Sequence, residues 1–254
     1  MPGAQFKGKE VYRSEDVVFH EIDEHTWVGT GHIMFNESIY LVEGDKIAVL
    51  IDAGTTIKEL DKIVASITDK PVMLVTTHVH PDHVGSVDCF PKVCINPADT
   101  VNIAQFMPDY KGEIKFLEDG QIIDLGGRKL EVIFTPGHTP GSTTFIDKEA
   151  HYGISGDSFG SGNLLLTTNF STLLATCKKM SEIMAKDEIT ELYPGHYFGA
   201  NPETKQRIDE MASLCEAVLS GKLKGKENPN GMLGLNLVIN GDGIRINYNE
   251  KALE

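Results

Sequence analysis

One stretch constrains this chain more than any other: Thr77-His78-Val79-His80-Pro81-Asp82-His83, set at the end of the apolar run Val72–Thr77 that follows Pro71. A continuous apolar run of this length reads as a strand buried on both faces. Three imidazoles and a carboxylate crowded at its end need partners or ligands, because buried polar and charged groups are costly alone. Imidazole nitrogen and carboxylate oxygen are the usual ligands of borderline metals. In an extended His-x-His both rings fall on one side, since side chains alternate along a strand. Pro81 disfavours helix at His80, and the turn that follows aims Asp82 and His83 at a neighbouring position. One strand end is thereby able to feed two adjacent metal ions.

Three later segments repeat the theme. Gly137-His138-Thr139-Pro140-Gly141-Ser142 follows the expected strand Lys129–Phe134, Ser155-Gly156-Asp157 follows Ala150–Ile154, and Pro194-Gly195-His196 follows Ile189–Leu192. Each puts a His or Asp in a Gly/Pro turn past the C-terminal end of a strand, the edge at which ligands bind in open α/β sheets. Glycine beside a ligand permits unusual backbone angles and close approach. Taken singly, His138 and His196 read as ordinary turn histidines and Asp157 as a turn-forming Asp. All four segments in order make coincidence improbable.

The rest of the chain reads as mixed strands and helices. Val17–Ile22 and Thr26–Val28 are short β-type runs, and Ser38–Val42 and Ile47–Ile51 flank Glu43-Gly44-Asp45 as a hairpin. Thr55–Ile67 carries a helical apolar stripe, which with the strands before and after it makes a βαβ unit. In the second half, Gln121–Leu125 and Thr143–Ile146 read as strands and Ser171–Ala185 as a helix. A second helix is expected to be capped by Asn201, with Pro202 in its first turn, and to run to about Leu219. Leu235–Asn240 and Ile244–Tyr248 form a C-terminal hairpin. The expectation is a layered α/β fold, and with no linker, low-complexity tract or repeat, 1–254 reads as a single domain.

Composition excludes some partners. Of the 254 residues 41% are hydrophobic and 24% charged, an ordinary globular balance, and the formal net charge is −14. A surface that acidic repels phosphate backbones and anionic lipids, so neither nucleic acid nor membrane is an expected partner. Cys89, Cys94, Cys177 and Cys215 contain no C-x-x-C pair and read as reduced thiols. A polar start, Met1–Asp16, lacks the apolar core of a signal peptide. The expected location is the cytoplasm.

On these motifs the sequence resembles the metallo-β-lactamase superfamily, with Asn36–Val42 and the Asp52-Ala53-Gly54 turn also looking like the family's first strands. The resemblance spans about Val17 to His196. It implies a four-layer αββα sandwich with metals at one edge of the two sheets. Carried over residue by residue, His78, His80 and His138 would bind a first ion, Asp82, His83 and His196 a second, and Asp157 would bridge them. That set is similar to glyoxalase II and the homoserine lactone lactonases. It departs from β-lactamases with a Cys where Asp157 stands, and from flavodiiron reductases with a Glu where His80 stands.

The implied enzyme is a binuclear metal-dependent hydrolase in which a metal-bridging hydroxide attacks a small ester, lactone, thioester or amide. Asp82 would orient the nucleophile and accept its proton. Zinc is the expected ion from ligand type, and iron or manganese fits the same atoms. The expected partner is a small-molecule substrate, and a homodimer is compatible with the sequence. His32 and Tyr197 are candidate substrate contacts. In the resemblance Ile33, Met34 and Phe35 would form an apolar lid over the site, and Phe159–Leu166 another pocket wall. The basic residues that grip glutathione in glyoxalase II have no clear match. A nuclease or phosphodiesterase of the same fold and an iron-dependent sulfur dioxygenase are the alternative readings.

Overall fold

Period-two burial sorts this chain into layers. The computed structural model describes residues 6–33 and 36–254. Its first sheet has eight strands in chain order: β1 (Glu10–Arg13), β2 (Val17–Asp23), β3 (Thr26–Gly31), β4 (Ser38–Glu43), β5 (Ala48–Ile51), β6 (Val72–Val75), β7 (Lys92–Ile95) and β8 (Glu113–Phe116). Strands β1 to β5 are antiparallel to their neighbours, and β5 to β8 are parallel. Parallel strands need crossovers, and these contain α1 (Leu60–Ala65), α2 (Pro81–Val84) and α3 (Thr100–Phe106).

Next come β9 (Ile122–Asp124), β10 (Lys129–Phe134), β11 (Thr143–Asp147), β12 (Tyr152–Gly156), β13 (Asn163–Leu165), α4 (Phe170–Lys186), β14 (Glu191–Pro194), α5 (Lys205–Leu219), β15 (Lys226–Glu227), β16 (Leu237–Asn240) and β17 (Arg245–Tyr248). They form a five-stranded sheet, β14-β12-β11-β10-β9, and a four-stranded one, β13-β17-β16-β15.

Alternate residues of each strand serve different cores. Ile39 and Leu41 of β4 pack with Leu60, Ile63 and Val64 of α1 on the outer face of the first sheet. Tyr40 and Val42, between them in sequence, pack across to Val132, Phe145 and Ile154 of the second sheet. Ile133 and Ile146 point the other way, onto Leu173, Cys177 and Met180 of α4 and Ile208 and Met211 of α5. The result is helix, sheet, sheet, helix. Each fully buried Leu, Ile or Phe in these layers contributes roughly 1.5–3 kcal/mol of transfer free energy. Among the described residues, no helix is long and apolar enough to cross a membrane.

Two local expectations are corrected. The stripe over Thr55–Ile67 is helical only from Leu60 to Ala65. Before it, backbone N–H groups are taken by side chains: Thr55 donates to Glu37 Oε1 (2.8 Å), Ile57 to Ser86 Oγ (2.7 Å) and Lys58 to Asp16 Oδ2 (3.1 Å). These local partners compete with helix. The cap of α5 is Thr204, not Asn201. Asn201 instead accepts from the Phe198 N–H (2.6 Å) and donates to the His196 carbonyl (3.0 Å), bracing the turn that carries His196.

Candidate metal centre

Strands β5, β6, β10, β12 and β14 all end at one edge of the sandwich, and each delivers a polar group there. Asp52 follows β5, His78 and His80 follow β6, His138 follows β10, Asp157 follows β12 and His196 follows β14. His80 is extended (φ −122°, ψ 158°), and Pro81 opens the single turn α2, which swings Asp82 and His83 round beside the first two rings.

The structure brings all seven candidate ligands together in overlapping groups of three. His78, His80 and His138 form one, Asp82, His83 and His196 another, and His78, His83 and Asp157 a third; within each, one ligand atom per residue lies within 4.8 Å of the others. Asp157 Oδ2 stands between the two outer groups, 3.8 Å from His138 Nε2 and 3.4 Å from His196 Nε2. Asp82 Oδ2 is 3.5 Å from His196 Nε2 and 3.7 Å from His83 Nε2.

Hydrogen bonds on the far side of the rings decide which nitrogens face inward. His138 Nδ1 donates to the Leu165 carbonyl (2.8 Å), leaving Nε2 with its lone pair toward the cluster. His83 Nδ1 donates to Asp52 Oδ2 (2.7 Å). The Thr77 hydroxyl donates to the same oxygen (2.8 Å) and accepts from His78 Nδ1 (3.1 Å), while the Thr77 N–H donates to Asp52 Oδ1 (2.7 Å). Metal-binding histidines characteristically hold their second nitrogen in this way. His78 Nε2, His83 Nε2 and Asp157 Oδ1 are left buried with no hydrogen-bond partner. Buried polar atoms are seldom unsatisfied, and three orphans facing one another suit a bound cation. His80 Nδ1 lies 2.9 Å from His138 Nε2, and with His138 Nδ1 committed to Leu165 it is His80 that donates and His138 that accepts.

Glycine makes the approach possible at two points. A Cβ on Gly156 (φ +51°) would stand 2.3 Å from Thr77 Oγ1, and one on Gly195 would stand 2.2 Å from Asp157 Oδ1 and 2.7 Å from His83 Cε1. Side chains at either position would push the second sheet's turns away from the first sheet's.

Electrostatically the cluster has two halves. Burial, helped by the surrounding imidazoles, holds His78 well below the usual range. Burial likewise pushes His80 down to about 3 and lowers His138. These three rings are neutral, the form that binds metal. At His83, burial opposes charge, but Asp52 and Asp82 outweigh it and push the ring up to about 10. His196 is raised against its burial chiefly by Asp157, and Asp157 is held well below the carboxylate range, also against burial, chiefly by His196. His78, His83 and His138 are buried, His80 is half-buried, and the side chains of Asp157 and His196 keep 15% and 19% exposure.

The other candidate residues fall differently. His32 and Ile33 are exposed, and Met34 and Phe35 lie outside the described residues. The Tyr197 ring packs on Tyr193 and Phe6, with which it lines a cavity of about 410 Å³ that contains none of the seven ligand candidates. Sequence reasoning passed over the roles of Asp52 and Leu165, and also Phe106, whose ring meets His80 edge-on at 5.4 Å. A carboxylate ending a buried parallel strand was a usable signal for Asp52; Leu165 acts through a carbonyl, which no sequence pattern marks.

Residues 33–196 match the model of the metallo-beta-lactamase superfamily, and the chain belongs to that family. It is 28% identical over 220 residues to the human acyl-coenzyme A thioesterase MBLAC2, covering 69% of this chain and 77% of that protein. Among solved structures it resembles a metallo-beta-lactamase from Pontibacter korlensis (TM-score 0.63, 18% identity, 79% of this chain and 99% of that one). It also resembles a metallo-beta-lactamase family protein from Thermus thermophilus (TM-score 0.64, 18% identity, 81% and 85%). At those identities the structural likeness speaks to fold. The chain is thus a member of a metallo-hydrolase superfamily with thioesterase relatives and a His/Asp cluster able to hold metal ions.

Proposed function

We propose that this chain is a binuclear metal-dependent hydrolase that cleaves thioesters of small acyl groups. The observation that carries the reading is the placement of Asp157 Oδ2 between the two outer ligand groups, 3.8 Å from His138 Nε2 and 3.4 Å from His196 Nε2. A single carboxylate so placed suits two ions sharing one ligand. In this reading His78, His80 and His138 hold the first ion, Asp82, His83 and His196 the second, and zinc is the ion that the nitrogen-rich set favours.

Two such ions, when bound, supply an acidified water and a Lewis acid for the carbonyl oxygen. The protein supplies the rest. Asp52 and the Leu165 carbonyl fix the ring orientations, and burial keeps the first three rings unprotonated. Asp82, its Oδ2 3.5 Å from His196 Nε2, would orient the attacking water and take its proton. Water adds to the acyl carbon, the C–S bond breaks, and a carboxylic acid and a thiol leave. Among carbonyl substrates the thioester is chosen because the human relative is an acyl-coenzyme A thioesterase. The acidic surface weighs against a polynucleotide substrate.

The test combines metal analysis of the purified protein with a panel of acyl-coenzyme A thioesters, simple esters, lactones, β-lactams and phosphodiesters. About two zinc ions per chain and highest turnover on a thioester are expected. An active metal-free protein overturns the mechanism. Preference for a phosphodiester, or one iron per chain with oxygen consumption, overturns the reaction class.

A further inference from the structure

The first group of imidazoles is assembled from two turns belonging to different sheets. His78 and His80 follow β6, and His138 follows β10. Three nitrogens keep one spacing only if those turns cannot slide past each other, and one buried side chain ties them together.

Asp99, wholly buried just before α3, aims Oδ2 at the backbone N–H of Val79, the residue between His78 and His80 (2.7 Å). The same oxygen accepts the hydroxyl of Thr139, the neighbour of His138 (3.0 Å). Its other oxygen accepts the Gly141 N–H, two residues further along the same turn (2.8 Å), and the Asn102 amide at 3.4 Å. A Cβ on Gly141 would lie 2.5 Å from the Asp99 Cγ, so the carboxylate reaches this backbone only because residue 141 is glycine. Both oxygens accept, and of the side chains this size only a carboxylate accepts on both sides. Among the described residues no Lys, Arg or His lies within ion-pairing distance of it. Burying a carboxylate is expensive unless its oxygens are hydrogen-bonded, and three of its four donors, Val79, Thr139 and Gly141, sit on the two ligand-bearing turns.

We propose that Asp99 is the positioning residue of the first ion site, clamping the His-x-His turn to the turn that carries His138. The inference rests on the reading of His78, His80 and His138 as ligands of one ion. Asp99 belongs to none of the three ligand groups; it acts through Val79, Thr139 and Gly141, the neighbours of the ligands.

Asp99→Asn preserves the shape but turns an NH2 group toward one set of donors, freeing one turn. The full-length chain, stripped with a chelator, is titrated with zinc against a chromophoric competitor and with cobalt by visible absorption. A His196→Ala background removes a ligand of the second group, so the first is read by itself; a His138→Ala background does the reverse. Asp99→Asn is expected to lower affinity at the first group by about 10–100-fold and to alter its cobalt bands. At the second group the change should stay within about threefold. Unchanged affinity in a folded Asp99→Asn protein overturns the proposal, as does an equal loss at both groups, which a merely structural role would give. Failure of the unsubstituted protein to bind either metal removes the ligand reading itself, and the proposal with it. Should Asp99→Asn fail to fold, Thr139→Val removes one donor only; a smaller loss confined to the first group supports the clamp, and no loss or a uniform one overturns it.

Discussion

The Asp52 carboxylate and the His83 imidazole meet at 2.7 Å, oxygen to Nδ1, with neither side chain exposed. The same carboxylate holds the Thr77 hydroxyl and N–H, and through that hydroxyl reaches His78. Asp52→Ala would strand these donors. It is expected to cost about 3–5 kcal/mol of stability, the penalty for removing one partner of a buried ion pair. Metal affinity should fall about 10–100-fold. Urea denaturation of the metal-free protein and a competition titration measure the two effects.

Metal removal should abolish turnover reversibly. At a zinc concentration about 100 times the dissociation constant of one site, filling that one site in the folded state alone adds about 2.7 kcal/mol. For a chain of this size that raises the melting temperature by about 5–10 °C. Asp82→Ala should keep the fold and lose turnover by at least about 100-fold. Calorimetry with and without chelator, and steady-state assays of the variant, report the outcome.

Without metal, stability should pass through a maximum near neutrality. Burial pushes folded His80 down to about 3, whereas an unfolded imidazole titrates near about 6.5. On acidification the unfolded chain binds the proton first, so the His80 contribution is complete above about pH 6.5 and is lost progressively from there toward about 3. His78 and His138 shift in the same direction. His83, pushed up to about 10, has the opposite sign: its contribution is complete below about pH 6.5 and disappears as pH rises toward about 10. Urea midpoints across that range in the presence of a chelator trace the curve. A midpoint still climbing steadily at pH 9 contradicts the His83 assignment.

Arg128 separates stability from chemistry. Its guanidinium donates to Asp147 (2.5 Å), Tyr152 (2.7 Å) and Thr26 (2.9 Å) and to the carbonyls of His25 and Glu43, joining the two sheets. None of these partners belongs to the metal cluster. Arg128→Met should cost about 3–5 kcal/mol while turnover per folded molecule stays unchanged. A fall in turnover of the folded fraction would show that this joint reaches the active edge.

Thiol chemistry should single out Cys89. Burial pushes Cys215 up to about 12 and raises Cys94 and Cys177, and all three are buried, whereas Cys89 is half-buried. Alkylation of the native protein followed by mass spectrometry should find Cys89 modified first and the other three only after unfolding.

Much of the frame is written in local pattern. Ser38–Val42, Ile47–Ile51 and Val72–Thr77 announce β4, β5 and β6 because their apolar runs are long, and Ser171–Ala185 announces α4 through an uninterrupted stripe. The ligand cluster is legible for a similar reason: its residue types sit in distinctive Gly/Pro turns. What stays hidden is short or indirect. Strand β7 opens on an exposed Lys92 and has only three apolar residues, Val93 to Ile95, and the exposed β8 shows little burial pattern. Asp99 is one aspartate in an ordinary Asn-Pro-Ala-Asp turn, and its importance comes from Val79 and Thr139, 20 and 40 positions away. Asn201 has the local pattern of a cap but serves a partner, the His196 turn, that exists only after folding.

Strand β13 carries the Leu165 carbonyl that orients His138, and β13 is hydrogen-bonded to β17, near the end of the chain. Asn247 of β17 ties the two by donating to the Leu164 carbonyl (3.2 Å) and the Asn163 side chain (3.0 Å). A growing polypeptide therefore exposes the His78–His83 turn to the cell long before the brace behind His138 can close. The brace behind His138 is thus completed by a strand made well after the ligand residues, so the full ordering of that ring depends on residues 245–248.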